Sequence, residues 1–237
     1  MTRSAEDPMT RCALLVVSKA PVPGQAKTRL SPALSPGDAA ELASASLRDT
    51  LQAVRAAPVA TRIVALTGDL GAARHGAEIA GLLHDFVVIP QRGAGFARRL
   101  VNAHADASAI GRCPVLQIGM DTPQVTPELL GAAAATLART EVDAVFGAAT
   151  DGGWWALGVT SPTMAEILAD IAPSRRDTGA CTLHALRQCG CRVTELAVLS
   201  DVDTLDDARR VSGEVAEGSS FRAVFRALSR SGRDDVG

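Results

Sequence analysis

Short, almost uninterrupted apolar runs recur along this chain, and stretches with helical spacing separate most of them. A strand covered on both faces needs apolar residues at nearly every position, so such runs point to a sheet buried between helices. Cys12–Ser18 (CALLVVS) reads as the first strand, followed by Ile63–Thr67, Phe86–Ile89, Val115–Ile118, Asp143–Gly147, Trp154–Val159 and Arg192–Leu199. The first helix has a marked start: Ser35 as N-cap, Pro36 at the first helical position and Asp38 in the first turn, running to about Arg55. Thr126-Pro127-Glu128 repeats that signal, and Thr204 with Asp207 three residues on reads as a capping box. Helical patterns also cover Gly71–Leu83, Phe96–Ala109, Pro162–Ile171 and Thr178–Gln188. This alternation predicts an α/β fold with one doubly wound, mostly parallel sheet.

The length of 237 residues suits one large domain and is short for two. The expected layout is a flexible N-terminus over 1–10, the main domain over 11–213, and a C-terminal helix and tail over 214–237. In that tail Phe221, Val224, Phe225 and Leu228 share one helical face, while Arg222, Arg226 and Arg230 lie elsewhere around it. Such a helix packs on its own domain or on a second subunit of a homodimer; a membrane-surface helix would have only this one short set of residues to support it. The last residues are expected to fray.

Composition removes several function classes. Aromatic residues make up 3% and Tyr is absent, so the core must be aliphatic, and stacking platforms for single-stranded nucleic acid are not expected. The formal charge of −2 favours neither nucleic acid nor an anionic membrane. No run approaches the roughly 18 apolar residues of a membrane span, and Met1–Arg11 lacks an apolar signal region, so a cytoplasmic protein is expected. Met9 offers an alternative start. The five cysteines form no CxxC pair, which argues against a zinc ribbon and for reduced thiols; the four histidines are scattered and read as surface or packing residues.

In open α/β sheets ligands bind beyond the carboxyl ends of the strands, so the residues after each strand carry the information. Lys19–Leu30 (KAPVPGQAKTRL) follows the first strand with three cations, Lys19, Lys27 and Arg29, together with Gly24, Thr28 and two prolines. A stiff loop with fixed N–H donors and cations suits phosphates, although it matches neither a Walker A loop nor a GxGxxG fingerprint. Asp121, in Gly119-Met-Asp121-Thr-Pro123, would present a hard carboxylate for Mg²⁺ or Mn²⁺, or cap a turn. Asp201 and Asp203 alternate in an extended segment, so their side chains share a side and would complete a metal site with Asp121. Asp151, Gly152, Gly153 and Trp154 allow close backbone approach to a ligand, and Gln91–Gly95, with Gly93, suits a nucleobase. Each of these also has a plain structural reading as a solvated loop, a turn or a cap.

Taken in order, KAPVPGQAKTRL, QRGAGFARRLVNA, GMDTPQVTPELL, GAATDGGWWALGV and DVDTLDD resemble the DUF2064 family. That family is also called the transferase 1 family associated with radical-SAM or selenium domains, and it has the nucleotide-diphospho-sugar transferase (GT-A) fold. KTRLSPALSP and DVDT also resemble the phospholactate or phosphoenolpyruvate guanylyltransferases of coenzyme F420 synthesis. The resemblance spans roughly Leu14 to Arg210. It implies that Lys19, Lys27 and Arg29 hold nucleotide phosphates, that Asp121, Asp201 and Asp203 hold metal, and that Gly93 and Gly95 lie near the base. Asp151, Gly152 and Gly153 would line the acceptor side. Two positions depart from the family: Trp154 stands where Tyr is usual, and Ala172–Gly179 replaces a Trp-Ser-Thr segment, offering Ser174, Arg175 and Arg176 to an acceptor phosphate or carboxylate.

Three readings remain. One is nucleotidyl transfer from a nucleoside triphosphate to a small phosphate- or carboxylate-bearing acceptor, with Lys27, Arg29, Asp121 and Asp151 at the reacting centre. Another is glycosyl transfer from a nucleotide sugar with Asp151 as base, although the Asp-x-Asp motif usual after the central strand is replaced by Asp121-Thr-Pro123. The last is a non-catalytic nucleotide-binding protein.

Overall fold

The computed structural model describes residues 9–30 and 33–234. Most of the expected flexible N-terminus, Met1 included, and the last three residues lie outside that range. The strands are β1 (Thr10–Lys19), β2 (Val59–Thr67), β3 (Val87–Pro90), β4 (Val115–Gly119), β5 (Ala144–Ala148), β6 (Trp154–Val159) and β7 (Val193–Glu195). The helices are α1 (Pro36–Ala56), α2 (Gly76–Leu82), α3 (Gly95–Gly111), α4 (Pro127–Leu137), α5 (Thr178–Gln188), α6 (Leu205–Glu214) and α7 (Ser220–Asp234). They form the expected α/β architecture around one seven-stranded sheet of order β3-β2-β1-β4-β6-β5-β7. Strands β1 to β4 are mutually parallel, and β7 is parallel to β5. The exception is β6, antiparallel to both β4 and β5. It therefore brings its beginning, the Asp151–Trp154 loop, to the edge where the other strands end.

The central strand shows why the apolar runs are continuous. Leu14 and Val16 pack with Leu47 and Leu51 of α1, Ile79 of α2 and Leu130 of α4. The alternating Ala13, Leu15 and Val17 face the other layer, with Leu100 of α3, Leu168 and Leu186 of α5. A third cluster joins Leu30 and Leu42 to Val211 of α6 and to Phe221 and Phe225 of α7. The apolar face of the C-terminal helix thus packs on its own chain, and Asp49 of α1 holds its start, accepting from the backbone N–H groups of Ser220 and Phe221 at 2.9 Å each.

The three helix-start signals are present as read: Ser35, Thr126 and Thr204 each accept from a backbone N–H in the first turn, and Thr204–Asp207 forms the full capping box. Two segments differ from expectation. Pro162–Asp170 winds as a 3-10 helix rather than an α-helix. The helix expected over Gly71–Leu83 is broken at His75, whose φ of 53° is left-handed, into a 3-10 turn (Leu70–Ala72) and the short α2. Only glycine fits at 76 beside the break, because a Cβ there would meet the Leu70 carbonyl at 1.8 Å. The expected strand over Arg192–Leu199 is regular only in β7 and touches the sheet again at Ala149–Leu199. No described helix is long and apolar enough to cross a membrane. All five cysteines are free thiols.

Candidate active site

The chain runs outward from β1 through β2 to β3 and then returns to lay β4 on the other side of β1. Such a reversal leaves a crevice at the carboxyl ends of the two strands. Lys19 closes β1 and Asp121 follows β4, so the crevice opens between two of the predicted loops. The first loop is clipped into shape: Lys19 Nζ donates to the Gln25 carbonyl at 2.9 Å, and the N–H groups of Gln25 and Ala26 both donate to Val22 O. Gly24 forms the exposed tip with φ of 74°.

Lys27 then takes a left-handed φ of 49°, a conformation that long side chains rarely adopt and that concentrates at functional sites. Its ammonium is turned inward, with only 11% of the side chain exposed. Nζ lies 2.8 Å from Asp121 Oδ2 and 3.1 Å from Asp203 Oδ1, and Arg29 Nη1 lies 2.6 Å from Asp203 Oδ2. Burial alone would lower the Lys27 pKa, but the two carboxylates outweigh it and raise it, so this lysine is held charged. Burial likewise pushes Asp203 up, and Lys27 and Arg29 together bring it below the usual carboxylate range.

Three loops bring the aspartates together. The carbonyl of Met120, just before Asp121, accepts from Ser46 Oγ of α1 at 3.0 Å, and its sulfur accepts from the Lys19 N–H at 3.2 Å. Gly119 leaves room for this carboxylate, since a Cβ there would stand 2.7 Å from Asp121 Oδ1 and turn the side chain aside. The Val202 N–H donates to the Asp121 carbonyl at 3.1 Å and draws in the segment carrying Asp201 and Asp203. One carboxylate oxygen from each of Asp121, Asp201 and Asp203 falls within 4.8 Å of the others. Burial, then the charges of Asp121, Asp151 and Asp203, push Asp201 up to about 7. Three carboxylates supply hard oxygen donors of the kind that Mg²⁺ or Mn²⁺ takes, with the Lys27 ammonium paired to two of them.

Lys19, Arg29 and the aspartates open into one cavity of about 450 Å³, a size usual for a small-molecule site, while Lys27 reaches it only through the carboxylates it bridges. Lys19, Arg29, Asp121, Asp151, Asp201 and Asp203 all line it. Gly153, Trp154, Ser174 and Arg175 line it as well. Not every expected residue reaches the wall. Gly24 and Thr28 lie on the exposed outer side of the first loop, and Gly93 and Gly95 flank the cavity without lining it. The positive φ of Gly93 serves packing instead, since a Cβ would meet Asn102 and Arg98 at the start of α3. Gly152 faces the protein: a Cβ would meet the Arg176 carbonyl at 1.9 Å, and the Gly152 carbonyl accepts from the Gly179 N–H of α5.

Residues not singled out in the sequence also line the cavity, among them Phe96, Arg99 and Gln117. Gln117 had a signal, a lone amide within the apolar run VLQI. Gln91, the first residue of the loop expected near a nucleobase, lines the cavity, and its amide bridges the carbonyls of Ser18 and Ala65 at 2.8 and 2.9 Å.

The profile of one protein family, DUF2064, described as an uncharacterized protein conserved in bacteria, matches residues 50–175. The chain belongs to this family. No curated protein matches it. Among solved structures, a protein from Desulfovibrio desulfuricans G20, provisionally described as a nucleotide-diphospho-sugar transferase, superimposes with a TM-score of 0.79 and 25% identity. The match covers 95% of this chain and 96% of that one. Rv0371c from Mycobacterium tuberculosis H37Rv gives a TM-score of 0.52 at 22% identity, over 86% of this chain and 98% of that one. A cytidylyltransferase from Leptospira borgpetersenii gives 0.52 at 11% identity, over 94% and 96%. At those identities the last two share the fold. The family match ends before Asp201 and begins after Lys27, so the polar cluster draws its partners from beyond it.

Proposed function

We propose that this chain is a transferase that uses a nucleotide, and that its reaction is nucleotidyl transfer from a nucleoside triphosphate to a small acceptor bearing a phosphate or carboxylate. The observation that carries this reading is the cluster of cations and carboxylates at the cavity: Lys19 and Arg29 line it, and the buried Lys27 ammonium bridges the lining carboxylates Asp121 and Asp203. Cations fixed in place before the substrate arrives stabilise charge as it develops, without reorganising. In this reading an acceptor oxygen attacks the α-phosphorus, the bond to the bridging oxygen breaks, and pyrophosphate leaves against Lys19, Lys27 and Arg29. An acceptor that is already an anion needs no base. A divalent cation held by Asp121, Asp201 and Asp203 would neutralise phosphate charge. Gly153, Trp154, Ser174 and Arg175 face the acceptor, with Gly152 setting the turn behind them. The description of the Desulfovibrio protein supports a nucleotide-linked substrate.

Glycosyl transfer from a nucleotide sugar is the second reading, favoured by that same description and by Asp151 on the cavity wall. Thermal unfolding with a panel of nucleotides, with and without Mg²⁺ or Mn²⁺, separates the two. Ligand at a hundredfold excess over its dissociation constant adds about 2.7 kcal/mol to stability. The expected result is a metal-dependent rise with one nucleoside triphosphate, abolished in Asp121→Ala. A rise with nucleotide sugars alone would replace nucleotidyl by glycosyl transfer, and no rise with either would overturn the nucleotide site.

A further inference from the structure

α3 and the segment that leads to α5 pack together and both line the cavity, where their side chains form a largely apolar slot. Trp154 forms part of its wall, with Phe96 and Leu100 of α3 on one side and Leu168 and Ile171 on the other. Phe96 is 51% exposed although its neighbours on this face are packed. An aromatic ring that lines a cavity and keeps half its surface exposed offers that surface to a ligand.

Two observations show that the slot asks for more than an apolar body. The first is Gln117. It is 1% exposed, lines the cavity, and its Oε1 has no hydrogen-bond partner among the described residues. Buried amides are nearly always satisfied, so one left open against a cavity awaits a polar group from whatever enters. The second is charge. Arg99 and Arg175 line the slot from its two sides. Arg99 makes one long hydrogen bond, 3.4 Å to the Gly93 carbonyl, and has no carboxylate partner among the described residues. Arg175 pairs only with exposed Asp177, two residues away, a contact that an incoming anion can replace. The loop that presents Arg175 is braced: Ser174 takes a left-handed φ of 60°, the Arg175 N–H donates to Thr178 Oγ1, and Thr178 Oγ1 donates to the Ala172 carbonyl.

We propose that this slot selects the acceptor, and that the acceptor is a small amphipathic anion. Its apolar, ring-sized body lies between Phe96, Trp154 and Leu168, a polar substituent meets Gln117, and a carboxylate or phosphate meets Arg99 and Arg175. This rests on the transferase reading for the word acceptor, but the slot and its ligand chemistry stand independently of it. Bidentate guanidinium contacts suit both anions, which is the shared chemistry.

The test is ligand binding to the full chain, read by tryptophan fluorescence and by calorimetry, with phenyl phosphate, benzoate and inorganic phosphate as probes. Phenyl phosphate is expected to bind at least about tenfold tighter than inorganic phosphate, because only the former fills the apolar wall. Arg175→Gln and Phe96→Ala are each expected to weaken it by about tenfold while leaving binding of a nucleoside triphosphate unchanged. Benzoate binding as tightly as phenyl phosphate would assign a carboxylate headgroup, and weaker binding a phosphate. Equal affinity for phenyl and inorganic phosphate, or phenyl phosphate binding indifferent to both substitutions, would overturn the slot. Loss of nucleotide binding with the probe results intact would instead sink the transferase reading and leave the slot in place.

Discussion

Among single residues, His104 has a clear thermodynamic consequence. It is fully buried in α3, and neither ring nitrogen has a hydrogen-bond partner among the described residues. Burial pushes its pKa down from 6.5 to about 4. Above pH 6.5 the ring is neutral in both folded and unfolded chains and imposes no pH dependence. As pH falls from 6.5 through 4 the unfolded chain takes up a proton that the folded chain refuses, so stability falls, by about 3 kcal/mol in the limit. The unfolding midpoint of the native chain is therefore expected to drop between pH 7 and pH 5, and that of His104→Leu to drop less. Equal slopes in the two proteins would place the acid sensitivity elsewhere. Lys27 illustrates the opposite balance, where partners outweigh burial and the charge is kept.

At the level of elements, caps and close approaches decide which segments are rigid. Thr204→Ala removes the side-chain half of the capping box that starts α6, directly after Asp203, and leaves the Thr204 N–H bond to Asp207 in place. The expected cost is about 1 kcal/mol. For a chain of this size the unfolding midpoint should fall by about 3 °C, measured by calorimetry. Gly179 in the first turn of α5 sits against the Asp151–Trp154 loop so closely that a Cβ would stand 2.3 Å from the Gly153 carbonyl. Gly179→Ala must push the two apart, and a cost of about 1–3 kcal/mol is expected, together with weaker binding of any ligand held by Gly153 and Trp154. Retention of both wild-type stability and ligand affinity would mean that α5 and this loop are not coupled.

Across the whole molecule, α7 closes the layered fold by covering α1 and α6 with Phe221 and Phe225. Asp49 ties its start with three hydrogen bonds, from Ser219 Oγ and the Ser220 and Phe221 N–H groups. Asp49→Ala leaves those donors unpaired, and about 2 kcal/mol is the expected loss. Amide hydrogen exchange should show α7 opening while β1 and β4 stay protected; uniform deprotection would show instead that the helix is part of one cooperative unit.

Much of this arrangement was legible in the residues themselves, because it depends on local rules. Apolar continuity marked the buried strands, and Ser35, Thr126 and Thr204 marked helix starts to the residue, since capping is settled within one turn. Lys27, Arg29, Asp121, Asp201 and Asp203 were legible as candidates because strand ends collect ligands in this class of fold. What sequence could not supply was direction and distance. Nothing local distinguishes an antiparallel β6 from a parallel one, yet its direction carries Asp151 and Trp154 to the edge where Asp121 lies. The left-handed turn at Lys27 breaks local preference and exists because Asp121 and Asp203, distant in sequence, receive its ammonium. The open amide of Gln117 became visible only when the strands, α3 and the Ser174 loop closed around it. Helix caps and strand burial are short-range and read along the chain; the meeting of charges across the sheet edge is long-range, and only the packed fold decides it.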